Sequence, residues 1–324
     1  MLHLATDKKQ VKRLLWTVVG SIFVGTGGWA YLNVGRGDRL KAYSRLFNFV
    51  EVNSTFYSYM PLKVIRSWRF RVPTNFIFSV RCHRDLTHKF RLEPREESYE
   101  VFNKMVEVCK VLGAPIMHLQ TPEFLEMDRF ACRSARDLLS SVALGGVRIA
   151  LEVRGGLSKE VINLMMDLNL VPCVDLSRGT SPFQSDILYT RLFGKGYHTL
   201  YEFDDDELIE IEEKVKRGNQ KQAFLVFHSL KMYEDAQRLK IRLEKGIFPQ
   251  SRRSVGLEAL TKLLSEVLFP CSKDEVVKKV GWRSIDTTSG RRIHVSRLLE
   301  KIPAKIYLSV DDVVREVSLY SSFD

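Results

Sequence analysis

Short apolar runs rich in β-branched and aromatic residues recur along this chain, at 22–26, 49–53, 76–81, 115–120, 147–153, 170–175, 187–192 and 222–228. Each has strand length and is closed by polar or turn-forming residues. Between most of them the apolar residues change to helical spacing, over 38–48, 62–71, 95–112, 129–143, 158–168 and 204–217,. The interval after Asp175 lacks such a segment, because Ser177-Arg178-Gly179-Thr180-Ser181-Pro182 reads as loop and turn,. A further helix is predicted over 232–245, closing a pattern of eight strands that alternate with helices. Eight such repeats over about 240 residues predict a (β/α)8 TIM-type barrel rather than an open doubly wound sheet.

Gly246-Ile247-Phe248-Pro249-Gln250 interrupts the pattern. The expected organisation is an N-terminal extension at 1–20, a barrel at 21–246 and a small helical domain at 250–324. Helices are predicted in that last domain near 256–268, 272–280, 292–301 and 309–319. Ser272 stands three residues before Glu275 in a capping-box arrangement, and Ser309 precedes the acidic pair Asp311 and Asp312,. At the other end, Lys8, Lys9, Lys12 and Arg13 precede an apolar run from Leu14 to Gly25, an order that mimics a secretory signal,. The run ends in Val24-Gly25-Thr26-Gly27-Gly28-Trp29, which reads better as a buried strand entering a glycine turn.

Composition narrows the class. The 324 residues, 45% of them hydrophobic, are enough for a large packed core,. No stretch reaches the roughly 18 uncharged apolar residues that a membrane helix needs, so no membrane partner is expected. A formal charge of +11 favours anionic partners, DNA or RNA among them,. Within the C-terminal part, Lys278, Lys279, Arg283, Arg291 and Arg292 offer a basic face. The five cysteines form no CxxC pair and leave an odd count. That excludes a zinc knuckle or a secreted disulfide framework and favours a reducing cytoplasm. Oligomeric state is left open.

The candidate chemistry lies where strands end. In Val50-Glu51-Val52-Asn53-Ser54-Thr55-Phe56-Tyr57 an alternating strand runs straight into carboxylate, amide and hydroxyl groups, with Glu51 and Asn53 on one face at period two,. The same grammar returns in Ile149-Ala150-Leu151-Glu152-Val153-Arg154 and in Val171-Pro172-Cys173-Val174-Asp175. In a TIM barrel the reacting groups gather at the carboxyl ends of the strands. Glu51, Asn53, Arg81, Gln120, Glu152, Arg154, Asp175, Arg191 and His228 are therefore expected around one mouth. Two chemistries fit them. Glu51, Glu152 and Asp175 could hold a divalent cation such as Mg or Mn that activates water or polarises a phosphoryl oxygen. Alternatively, Arg81, Arg154 and Arg191 could grip phosphate or carboxylate while Glu51 or Glu152 acts as acid or base. His88, in the loop after the third strand, is a further candidate for proton transfer. Trp29 and Tyr57 are aromatic candidates for substrate contact beside the mouth. His118 alternates with Gln120 inside a strand and reads as a satisfied core residue.

Taken together, these motifs resemble domain-of-unknown-function family 72, the YecE-like proteins, over roughly residues 22 to 240. The carriers are Val24 to Trp29, Val50 to Tyr57, Pro61, Trp68, Phe76 to Arg81 with Arg84, Thr87 and His88, then Gln120, Glu152-Val153-Arg154, Asp175 and Tyr189-Thr190-Arg191. The resemblance implies a TIM-type barrel and raises the interest of His88, but carries no assigned activity. The chain departs from the family pattern at three places. Gln120-Thr121-Pro122-Glu123 stands for Gln-Leu-Pro-Pro, Arg191-Leu192-Phe193-Gly194 for Arg-Leu-His-Gly, and Phe227-His228-Ser229 for Phe-Asn-Asn. The reading drawn from residues and resemblance is an enzyme with a polar site at the barrel mouth, a hydrolase or nuclease acting on a nucleic-acid phosphodiester. An enzyme of small phosphorylated or carboxylated metabolites and a non-catalytic nucleic-acid or protein-binding adaptor are the alternatives.

Overall fold

Every one of the eight predicted barrel strands forms, and each pairs in parallel with its neighbour in space. The computed structural model describes residues 20–196, 199–249 and 254–320; most of the expected 1–20 extension thus lies outside the described residues. The strands are β1 (Ser21–Thr26), β2 (Phe49–Val52), β3 (Ile77–Arg81), β4 (Ile116–Gln120), β5 (Arg148–Glu152), β6 (Val171–Val174), β7 (Ile187–Leu192) and β8 (Gln222–Phe227). Their order around the sheet is β1-β8-β7-β6-β5-β4-β3-β2, which is that of a nearly closed (β/α)8 barrel,. β2 and β4 are buried along their whole length, as parallel strands covered on both faces must be,.

The intervening helices are α1 (Arg39–Leu46), α2 (Leu62–Phe70), α3 (Glu96–Leu112), α4 (Arg129–Ser140), α5 (Lys159–Asp167), α6 (Asp205–Arg217) and α7 (Met232–Lys245). Side-chain caps set several starts: Asp38 receives the amides of Leu40 and Lys41, Asp128 that of Ala131 and Ser158 that of Val161,. Gly113 ends α3 in the left-handed conformation (φ 65°) that glycine tolerates best,. No helix stands between β6 and β7, as the turn-rich sequence predicts.

Inside the barrel, Phe49, Ile116, Ala150, Val171, Ile187 and Phe224 form one apolar core, with Phe23 and Ile77 packed against it. Because side chains alternate along a strand, this fixes the inward parity. Two residues further along, Glu51, Ser79, His118, Glu152, Cys173 and Tyr189 also face inward. The seam between β1 and β2, whose strands share no ladder, is bridged by Tyr43 of α1. Its hydroxyl accepts from the Thr26 amide (2.9 Å) and donates to the Phe49 carbonyl (3.0 Å). Gly25 lets the two strands approach there, since a Cβ on it would stand 2.3 Å from the Phe49 carbonyl oxygen,.

By density of contacts the chain forms two compact units. The first runs to Leu192 and includes Lys214–Phe227; the second comprises Phe193–Glu213 and the chain from His228 onward. The second unit contains α8 (Gly256–Leu264), β9 (Cys271–Ser272), α9 (Lys273–Val280), β10 (Ser284–Asp286), β11 (Arg292–His294), α10 (Val295–Leu299), β12 (Ile306–Tyr307) and α11 (Val310–Tyr320). Its own core gathers Leu260, Leu264, Val276, Ile285, Leu298, Tyr307 and Val317. The expected capping box is present, with Ser272 and Glu275 each receiving the other's backbone amide, and the Ser309 hydroxyl receives the Asp312 amide. Two short antiparallel ladders, β10 with β11 and β9 with β12, were not expected in a helical unit. No helix among the described residues is long and apolar enough to cross a membrane.

Candidate active site at the barrel mouth

Glu51 and Glu152, from opposite parts of the sheet, meet through Arg191. The guanidinium of Arg191 places Nη1 2.7 Å from Glu152 Oε2 and Nη2 3.3 Å from Glu51 Oε1, with both Arg191 and Glu51 almost wholly buried. Burial alone would push the Arg191 guanidinium down, but the two carboxylates reverse this and hold it above its ordinary value,. His118 lies between the same carboxylates, its Nε2 3.0 Å from Glu152 and its Nδ1 3.6 Å from Glu51. Burial and Arg191 together depress its pKa despite those carboxylates, so the ring is neutral. Beneath them a chain of hydroxyls runs from Ser79 to Tyr189 (2.8 Å) and from Tyr189 to Glu51 Oε2 (2.8 Å).

Glu152 is saturated. Oε1 accepts from Gln120 (2.7 Å) and Arg154 (3.1 Å); Oε2 accepts from Arg191 and faces His118 Nε2. Four donors fill the four acceptor positions of a carboxylate. Against the upward push of burial, Arg191 and then His118 hold it well below the usual range, so it stays ionised.

Arg81 is different. It leaves the end of β3 nearly buried, donates Nη1 to Asn53 Oδ1 (2.6 Å) and Nη2 to Gln120 Oε1, and lies 3.5 Å over the Phe56 ring. No carboxylate is ion-paired with it among the described residues, and its buried Nε has no hydrogen-bond partner. Burial and the neighbouring Arg191 push its guanidinium down to about 10, so it remains charged at neutral pH. The loops hold it firmly: Thr55 donates to the Arg81 carbonyl (2.7 Å), and Asn53 opens the 3-10 turn that carries Phe56.

The remaining expected residues take varied places. Arg154 is half exposed beside Glu152, with its amide on the Thr121 hydroxyl. His88 stands in a single π-turn, Asp85–Lys89, with its Nδ1 2.9 Å from the Thr87 hydroxyl and its edge toward Phe56. Tyr57 is exposed beside Phe56. Trp29 packs edge-on against Trp68, the structural use of an aromatic under a loop. His228 belongs to the second unit, where its ring stacks on Phe193 at 4.9 Å. Asp175 is turned to its own loop, accepting from the Ser177 amide (2.9 Å) and hydroxyl (2.5 Å), with Arg178 at 3.6 Å.

As a metal site, therefore, Glu51, Glu152 and Asp175 do not converge, and Arg191 occupies the space between the first two. Ligand atoms of His118, Glu152 and Cys173 do come within 4.8 Å of one another. Burial and then Glu152 push the Cys173 thiol well up, which keeps it protonated, and the saturated Glu152 has no acceptor position to spare. This donor set does not fit a cation while Arg191 is in place.

Sequence reasoning left Ser79 and Tyr189 out of the expected site and read His118 as core. Their signal was parity: each stands two residues before an expected residue, on the same face of its strand.

Fold and site define a parallel (β/α)8 barrel whose carboxyl-end mouth is lined by interlocked arginines, carboxylates and amides. The chain belongs to the family described as "Protein of unknown function DUF72", whose sequence profile matches residues 23–254. Solved structures of two family members share the fold. The protein from Thermotoga maritima is 19% identical with a TM-score of 0.57, over 69% of this chain and 100% of its own. The protein from Enterococcus faecalis is 15% identical with a TM-score of 0.53, over 70% and 98%. Among proteins of curated function, none matches this chain.

Proposed function

We propose that the mouth is the active site of a metal-independent enzyme that binds a phosphate-bearing anion through Arg81 and transfers a proton through His88. The observation that carries this reading is the state of Arg81, a buried cation held by two amide oxygens and ion-paired with no carboxylate among the described residues. Such a guanidinium is desolvated and pre-oriented, and an incoming phosphate would supply a counter-charge in direct contact with it. The substrate class that fits best is the phosphodiester of a single-stranded nucleic acid. Exposed Tyr57 and Phe124 and the cations Arg84, Arg91, Arg154 and Arg178 stand on the loops that follow β2 to β6. That is the mixture of stacking surface and positive charge that single strands favour. In hydrolysis, water oxygen bonds to phosphorus as the ester P–O bond breaks. The leaving oxygen takes the His88 proton, and a water proton passes to solvent. The five free, buried cysteines suit the reducing cytoplasm, where we place the protein,.

The test is binding and cleavage of an end-labelled single-stranded oligonucleotide in the presence of chelator, across a salt series. Salt-steep binding and chelator-resistant cleavage, both lost in Arg81→Gln, are expected. Thermal stabilisation by small phosphorylated or carboxylated compounds without oligonucleotide binding would turn the reading to a metabolite enzyme. Indifference to every anion would overturn it.

A further inference from the structure

We propose that seating an anion on Arg81 loads His88 with a proton, so that substrate and acid arrive in the mouth together. This rests on reading Arg81 as the anion anchor. Arg81 and His88 share one aromatic support: the guanidinium lies over the face of Phe56, and the imidazole meets that ring edge-on at 5.3 Å. Thr87 fixes the imidazole through its hydroxyl, 2.9 Å from Nδ1. Nε2 makes no hydrogen bond among the described residues.

Among the described residues, the charged groups that act on His88 are cations: Arg81 from β3, Arg84 at the start of the π-turn and Arg154 after β5. No carboxylate is hydrogen-bonded or ion-paired to His88 among the described residues. Partial burial, and then these three guanidinium groups, hold the imidazole below its ordinary value and keep it neutral at pH 7,. An anion on Arg81 offsets the charge among them that acts most strongly on His88. Linkage is reciprocal, so a ligand that favours the imidazolium must bind more tightly as the pH falls. A single coupled proton sets the limit at about tenfold in affinity per pH unit. Neutral in the empty mouth and charged in the filled one, His88 would be a proton donor only when substrate is present.

Inorganic sulfate tests this, because it resembles a phosphate group yet does not itself titrate near neutrality. The full chain is titrated with sulfate by calorimetry at pH 7 in buffers of different ionisation enthalpy, and again from pH 6 to 8.5. Uptake of a substantial fraction of one proton is expected, with affinity rising as the pH falls. His88→Asn should bind sulfate at pH 8.5 about as the parent does, but without proton uptake and with a flat pH profile. Two other imidazoles are nearby, His83 stacked on Tyr59 and His118 between Glu51 and Glu152; uptake that survives in His88→Asn would come from one of them and would overturn the proposal. Sulfate binding without proton uptake would also overturn it, leaving Arg81 as the anchor. Absence of binding by the parent at every pH would overturn the anchor and the coupling together.

Discussion

Arg81 and Arg191 are both buried arginines at the ends of barrel strands, yet their surroundings assign them opposite consequences. Arg191 is ion-paired with Glu51 and Glu152 at once. Arg191→Met would strand two carboxylates inside the barrel, and breaking a buried pair in this way costs about 3–5 kcal/mol. Arg81→Met removes a charge that has no carboxylate partner and leaves only two amide oxygens unsatisfied, a loss of about 1–3 kcal/mol. Urea melts should therefore rank Arg191→Met far below Arg81→Met in stability, while sulfate titration should find Arg81→Met, though folded, unable to bind. Equal losses of stability would show that both arginines are structural. At this scale the sequence was legible to a definite depth. Glu51, Asn53, Arg81, Gln120, Glu152, Arg154 and Arg191 announce themselves as polar residues at strand ends. The layer below reads as core because Ser79, His118 and Tyr189 sit within apolar runs, and only the partners across the barrel make them polar. Which charge is spare could not be read, since that depends on distances between residues as far apart in the chain as 51, 152 and 191.

Elements were more legible than residues. Strand and helix ends fell within a few residues of the periodicities, because caps such as Asp38, Asp128 and Ser158 and the breaker Gly113 stand in the sequence. The π-turn at Asp85–Lys89 and the Tyr43 bridge at the seam of the expected barrel were not legible, because both depend on contacts rather than propensity. Closure rests on Tyr43, whose hydroxyl serves the backbone of β1 and of β2 where no ladder joins them. Tyr43→Phe keeps the ring, which packs on Phe47 and Phe76, and deletes only the bridging oxygen. A buried amide and a buried carbonyl would then lose a partner, at on the order of 2 kcal/mol. The expected result is a lower urea midpoint with an unchanged m-value, and faster hydrogen exchange at the Thr26 amide. Unchanged exchange there would mean that the seam holds without the hydroxyl.

For the molecule as a whole, net charge proved a poor guide to where cations are available. Of the basic residues expected to form a C-terminal face, Arg283, Arg291 and Arg292 are engaged by Glu202, Asp206, Asp286 and Glu234 of the same unit, and only Lys278 and Lys279 stand clear in solvent. The acidic run from Glu202 to Glu207 thus acts as a clamp for a basic segment nearly ninety positions later. At its centre His294 places Nε2 3.2 Å from Glu207 and Nδ1 3.4 Å from the Gly281 carbonyl, an arrangement that suits an imidazolium. Burial works against that charge, but Glu207 and Asp204 outweigh it and raise the pKa. Burial likewise works against ionised Glu207, yet His294 and Tyr201 bring it down to about 2. The signs fix a window. Folded His294 holds its proton more tightly than the unfolded chain does, so its contribution is complete below roughly pH 6.5 and is lost as pH rises through the folded value. Folded Glu207 holds its proton less tightly, so its contribution is complete above roughly pH 4.3 and is lost as pH falls toward 2. This pair is therefore strongest between those limits. Urea melts of the parent and of His294→Gln should differ most at pH 5.5, and the difference should shrink as the pH rises toward 9. A difference that stays constant over that range would mean that His294 is held neutral, and the clamp would then owe its strength to the arginines alone.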